Sequence, residues 1–399
     1  MIKEEFIAQY AVERKNTNSA KWDGLETTFG TDDLLPLWVA DTEFKIPQAA
    51  QDALIQRVHH GAFGYSLTPD EYYDAYFAWQ KDRYQTELQK DWMRFGLGVV
   101  NALSTIVRAL TLPGESIMVL QPVYYPFMRV IQENDRHLVV SNLRAENDTY
   151  VMDMEDIANK MDQHHVKMLI FCSPHNPVGK VWSEQELTGL LELCREKQVL
   201  VVSDEIHHDL IVGDKPFVSA LSIAQGIYRD NTVMVDSPSK TFNMAALLGS
   251  NIVIPNPQLR ERYDKEVREL SLPSATVMAQ TAATAAYRDG ASWLEGLLAV
   301  IKDNYFYVKE RLQAMDPQIK VADLQGTYLA WVDLSSVVAP EHLEYFIKHK
   351  AHLAVDFGDW FGEAGKGYIR LNLATTPTIV HQAMDQLAQA IAENKEADQ

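Results

Sequence analysis

The sequence predicts an α/β protein organised on a mostly parallel sheet, with a smaller α+β unit attached. Three observations carry that reading. Apolar, strand-like runs alternate with helix-like segments from Phe95 to Ile254. Three of those runs end in polar clusters: Ser173-Pro-His-Asn-Pro-Val-Gly179, Asp204-Glu-Ile-His-His-Asp209 and Ser237-Pro-Ser-Lys240. The chain has 399 residues, long enough for two or three domains and a large core. Open parallel sheets bind ligands beyond the carboxyl ends of their strands, so the three clusters converge on one site.

Taken in order, residues 1–35 are polar and show no strong period. Pro36 to Pro47 reads as an extended segment between prolines: an arm, a pocket wall or a surface connector. Gln48–His59 is helical, with Ala49, Ala53, Leu54 and Val58 on one face. Gly61–Ser66 is rich in turn residues and holds Tyr65. Asp70–Tyr84 is an aromatic-rich amphipathic helix whose rings suit a core or a subunit interface. Glycines at 96 and 98 precede a helix whose free N–H groups suit a phosphate. Strands follow at Ser116–Gln121, His137–Ser141, Val166–Phe171, Leu200–Ser203, Thr232–Val235 and Gly249–Ile254. A helix starts at Pro122, with Tyr124 and Tyr125 at its entrance. Ser183 caps another that runs to Lys197, with Glu186 in capping-box position. Farther on, Thr327–Asp333 and Tyr368–Leu373 read as strands, and Pro340–Lys350 and Pro377–Glu393 as helices. The polar tail Glu393–Gln399 is expected to fray. The division expected is a large unit at 51–290 and a smaller one that joins the amino-terminal arm, 1–50, to 291–399.

Composition narrows the function classes. With 36 basic and 55 acidic side chains the net charge is −19, which argues against nucleic acid or an anionic membrane as a general partner. Two cysteines, Cys172 and Cys194, form neither a metal-ligand spacing nor a secreted framework. With no apolar signal core and no membrane-spanning run, the cytoplasm is the expected compartment.

Lys240 stands at the mouth of a buried strand. A charged amine there is costly unless it reaches water or is neutralised, for example by bonding an aldehyde cofactor. The neighbouring clusters hold what pyridoxal 5'-phosphate (PLP) requires. Asp204 supplies a carboxylate for the ring nitrogen, Asn176 a donor for the phenolic oxygen, and Tyr124 a face for the ring. Ser237, Ser239 and the backbone near Val100 and Asn101 offer donors to the phosphate. Arg370, in Gly367-Tyr-Ile-Arg-Leu-Asn372, offers a cation for a substrate carboxylate. His175, His207 and His208 do not make a metal site, because partner ligands are missing and adjacent histidines in an extended run face opposite sides.

These three clusters, with 28 residues from Asn176 to Asp204 and 36 from Asp204 to Lys240, resemble fold type I PLP enzymes, from Trp38 to Asn372. Trp38-Val-Ala-Asp41, Phe63-Gly-Tyr-Ser66 and Asp204-Glu-Ile-His207 resemble the bacterial cystathionine β-lyases of the maltose-regulon-modulator type. The resemblance implies a three-layer α/β/α large domain and a homodimer with shared active sites. It makes Lys240 the covalent anchor and catalytic base, Asp204 and Tyr124 further catalytic groups, and Arg370, Ala40 and Asn176 the substrate contacts. His207 takes a position where general aminotransferases have a cofactor-binding tyrosine, and Tyr65 reaches the neighbouring subunit's phosphate. The implied reaction is β-elimination from cystathionine or related cysteine conjugates, giving a thiol, pyruvate and ammonia. Transamination on the same scaffold and an additional regulatory protein-binding role remain alternatives. The chain departs from the family pattern at Ala246, at Leu248 (where general aminotransferases carry a phosphate-binding arginine) and at Thr42-Glu43 in the expected pocket wall.

Overall fold

Burial of both sheet faces explains the unbroken apolar strands. In the computed structural model, which describes residues 1–397, seven strands form the main sheet. They are β1 Met93–Gly96, β2 Ser116–Gln121, β3 His137–Asn142, β4 Met168–Cys172, β5 Leu200–Asp204, β6 Thr232–Asp236 and β7 Ser250–Val253. Their spatial order is β1-β7-β6-β5-β4-β2-β3. The pairs β3–β2, β2–β4, β4–β5 and β5–β6 are parallel, and β7 runs antiparallel to both β6 and β1.

Side chains alternate between two cores, as the two-residue period of a strand requires. Ile117, Val119, Met168, Ile170 and Val202 pack with Leu103 and Ile106 of the helix Val99–Leu110. Met118, Leu120, Leu169, Phe171 and Val201 pack with Leu187, Leu190 and Leu191 of the helix Glu184–Glu196. That second helix opens on the expected capping box between Ser183 and Glu186.

A four-stranded antiparallel sheet follows: β8 Lys320–Val321, β9 Leu329–Asp333, β10 Asp356–Phe357 and β11 Tyr368–Asn372, in the order β8-β9-β11-β10. It shares a core with the helices Ala291–Met315, Leu343–His349 and Pro377–Ala397. The amino-terminal arm joins the same core. Phe6 of the helix Lys3–Tyr10 lies against Gly296, and Leu35–Pro36 pairs in parallel with Leu353–Ala354.

Three elements differ from expectation. β1 extends two residues before Phe95, as a short strand held only by β7. The helix expected from Pro122 begins at Pro126, which leaves Tyr124 in the strand-to-helix turn. The last helix continues through Ala397, so residues 393–397 of the expected polar tail are helical; 398–399 lie outside the described residues.

Candidate active site

Strand register builds the site. Cys172 pairs with Asp204, and Asp204 with Val235, so β4, β5 and β6 end side by side. Parallel neighbours lie about 4.8 Å apart, which sets Asn176, Asp204 and Lys240 just past three adjacent strand ends. A cavity of about 200 Å³ opens there. Lys240, Asp204, Asn176, Tyr124 and His207 line it, together with Ser239, Ala40, Val100 and Asn101.

Burial shifts the charges of the groups around the cavity. Lys240 is half-buried on the short helix Pro238–Thr241, and its Nζ donates to the Ala40 carbonyl at 2.6 Å. Burial pushes its pKa down to about 8. Burial pushes the Asp204 carboxyl up to about 7, and its one protein donor is the Ile206 N–H at 3.1 Å. His207 is held neutral by burial, and among the described residues its buried Nδ1 has no partner. The Asn176 Oδ1 accepts from Arg370 at 2.9 Å, while among the described residues its NH₂ has no protein acceptor.

A model of the family "Aminotransferase class I and II" matches residues 33–391. The chain belongs to that family. Among its relatives is the cystathionine β-lyase PatB of Bacillus subtilis (strain 168), 34% identical over 95% of this chain and 98% of the relative. Another is protein MalY of Escherichia coli (strain K12), 32% identical over 95% of this chain and 97% of the relative. The PLP-containing crystal structure of cystalysin from Treponema denticola superposes with a TM-score of 0.92 at 34% identity. It covers 96% of this chain and 98% of that one. Family membership fixes the fold as PLP fold type I.

Other residues singled out in the sequence take varied positions around the cavity. Ser237 does not face the cavity. Its hydroxyl donates to the Gly249 carbonyl at 2.6 Å and accepts from the Ser239 N–H, capping the helix that carries Lys240. Arg370 stands beside the cavity rather than lining it, in a buried ion pair with Asp356. Tyr65 is fully exposed and does not reach its own chain's cavity. Glu43, expected in the pocket wall, turns away to Lys21 (2.9 Å) and the Trp22 indole (3.2 Å) because two buried charges need each other. Ala40 contributes its backbone, since its carbonyl accepts from both Lys240 and Tyr328. Leu248 is exposed at positive φ and supplies nothing to the cavity; Ala246 is exposed as well.

Sequence reasoning missed Asp356. Its signal was an acid inside the apolar run Leu353–Phe357, which demands a cationic partner. Behind Lys240 lies a second buried polar group of another kind. Asp236 accepts from Tyr76 (2.7 Å), Gln80 (3.1 Å) and Asn251 (2.7 Å). Asp209 accepts from the Trp79 indole (2.9 Å), Thr241 (2.8 Å) and Tyr84.

Proposed function

We propose that the cavity binds PLP through Lys240, Asp204, Asn176, Tyr124 and His207, and that the protein cleaves C–S bonds of cystathionine or related cysteine conjugates by β-elimination. The single observation that carries this is one cavity past three aligned strand ends, lined by an amine, a carboxylate and an amide whose NH₂ has no protein acceptor among the described residues. The donor set fits the cofactor. Asp204 needs a cationic partner, which a protonated ring nitrogen is. The Asn176 NH₂ has no protein acceptor among the described residues, and the His207 ring is part of the cavity lining; both are donors of the kind a phenolic oxygen takes. An amine with a pKa near 8 is neutral in about a tenth of molecules at pH 7, enough to attack an aldehyde. For the phosphate, the N-terminus of the helix Val99–Leu110 presents N–H groups at Val100 and Asn101, beside Ser239. Ser237 joins them only by giving up the Gly249 carbonyl. Bound PLP supplies an electron sink for the pair left on the substrate α-carbon.

The chain's own groups do the rest. Asp204 holds a proton on the ring nitrogen. Arg370 receives the substrate carboxylate and thereby presents the α-hydrogen to Lys240. The free Lys240 amine would take the α-proton as general base. The β-sulfur would then leave with the C–S electron pair and take up a proton as the thiol, and one water would hydrolyse the remaining enamine to pyruvate and ammonia. Residues 51–290 act as the cofactor-binding domain, and 1–50 with 291–399 as the smaller one. The exposed Tyr65 serves the phosphate of a second copy in a homodimer.

L-Cystathionine supplied without a keto acid tests the reaction. Pyruvate and a free thiol are expected. Turnover only on addition of a keto acid would replace this reading with transamination, the activity after which the family is named.

A further inference from the structure

Arg370 and Asp356 face each other across the pair β10–β11, in direct register. Both are buried, at 2% and 1% exposure. A guanidinium has five N–H donors. Nε and Nη2 donate to Asp356 Oδ2, and Nη1 donates to Asn176 Oδ1 at 2.9 Å. One N–H therefore stays open on each terminal nitrogen, the two-pronged fork that matches a carboxylate. The Phe361 ring lies 4.8 Å from the guanidinium carbon and covers one face.

That geometry aims the arginine, and its charge balance has a further consequence. Before substrate arrives, Arg370 is already neutralised. A bare carboxylate would make a buried group of three with net charge −1. An amino acid brings its own ammonium and leaves the group neutral. We propose that Asp356 is a specificity-determining residue: by neutralising Arg370 it makes the site accept net-neutral amino acids and refuse simple carboxylates. This rests on Arg370 as the carboxylate receptor. Two carboxylates about 6 Å apart across a guanidinium, at an effective dielectric of about 20, repel enough to weaken anion binding on the order of tenfold to a hundredfold.

The test is propionate binding to the PLP-loaded enzyme by calorimetry, which needs no turnover and so stands apart from the lyase assay. Asp356→Asn keeps an acceptor and removes the charge. It should bind propionate at least about tenfold more tightly, and Asp356→Asn combined with Arg370→Ala should lose the gain. A residue that only stabilised the fold would lower the melting temperature without gaining affinity. Equal or weaker propionate binding by folded Asp356→Asn overturns the proposal, as does a gain that survives loss of Arg370. Should the variant not fold, the unsubstituted enzyme decides: a propionate Kd below about 1 mM overturns the proposal and a weaker one supports it.

Discussion

Two buried polar groups flank the Lys240 segment, and they differ in one respect. On the sheet side of the lysine, Asp236 and Asp209 each accept three hydrogen bonds from Tyr76, Gln80, Asn251, Trp79, Thr241 and Tyr84. On the cavity side, among the described residues, the Asp204 carboxylate has one donor and His207 Nδ1 has no partner. The same residue types thus serve two ends. Satisfied, they fasten the helix Asp70–Tyr84 to the strand ends; left open, they wait for a ligand.

Substitutions can break that contrast. The largest effect is expected from Lys240→Ala, which should cut pyruvate release from cystathionine by about 10²–10⁴-fold or more while the melting temperature barely moves. Next, Asp236→Ala should cost about 3 kcal/mol in urea unfolding, since three buried donors lose their acceptor, yet leave activity per folded molecule near normal. A large activity loss without instability would erase the distinction between the two groups.

Asp204→Asn should do the reverse, cutting activity while sparing the cofactor-free fold. Its pKa is raised to about 7 from the ordinary 3.8, so between those values the folded chain holds a proton that the unfolded chain has lost. Stability of the cofactor-free protein therefore falls as pH rises from about 4 to 7, and Asp204→Asn should flatten part of that fall. Glu205, raised to about 7 by burial, and Asp236 and Asp356, raised by burial as well, contribute to the remainder. Thermal melts at pH 4.5, 6 and 7.5 (conditions about one to two units apart) check the slope. The smallest effect belongs to Thr241→Val, which removes one bond to Asp209 and should cost about 1 kcal/mol without changing turnover.

Much of the site was legible because it is local. Asn176, Asp204 and Lys240 each follow an apolar run, and parallel strands have nowhere else to put polar ends. The helix Asp70–Tyr84 was readable to the residue, from Pro69 to the left-handed Gln85. What escaped depends on tertiary pairing. Asp356 meets Arg370 only through the β10–β11 register, and Glu43 leaves the pocket wall only because Lys21 folds beneath it. Ser237 was read by residue type, whereas the nearby Gly249 carbonyl decides where its hydroxyl points. β1 is four residues long and pairs with a single antiparallel neighbour, too little pattern to stand out.

The alignment Cys172–Asp204–Val235 also limits how this scaffold can diversify. Inserting one residue into any of these strands would turn every following side chain to the opposite face. New substrate preferences must therefore arise in what overhangs the strand ends, the segment around Ala40 and the turns near Phe361, while the beams beneath stay unaltered.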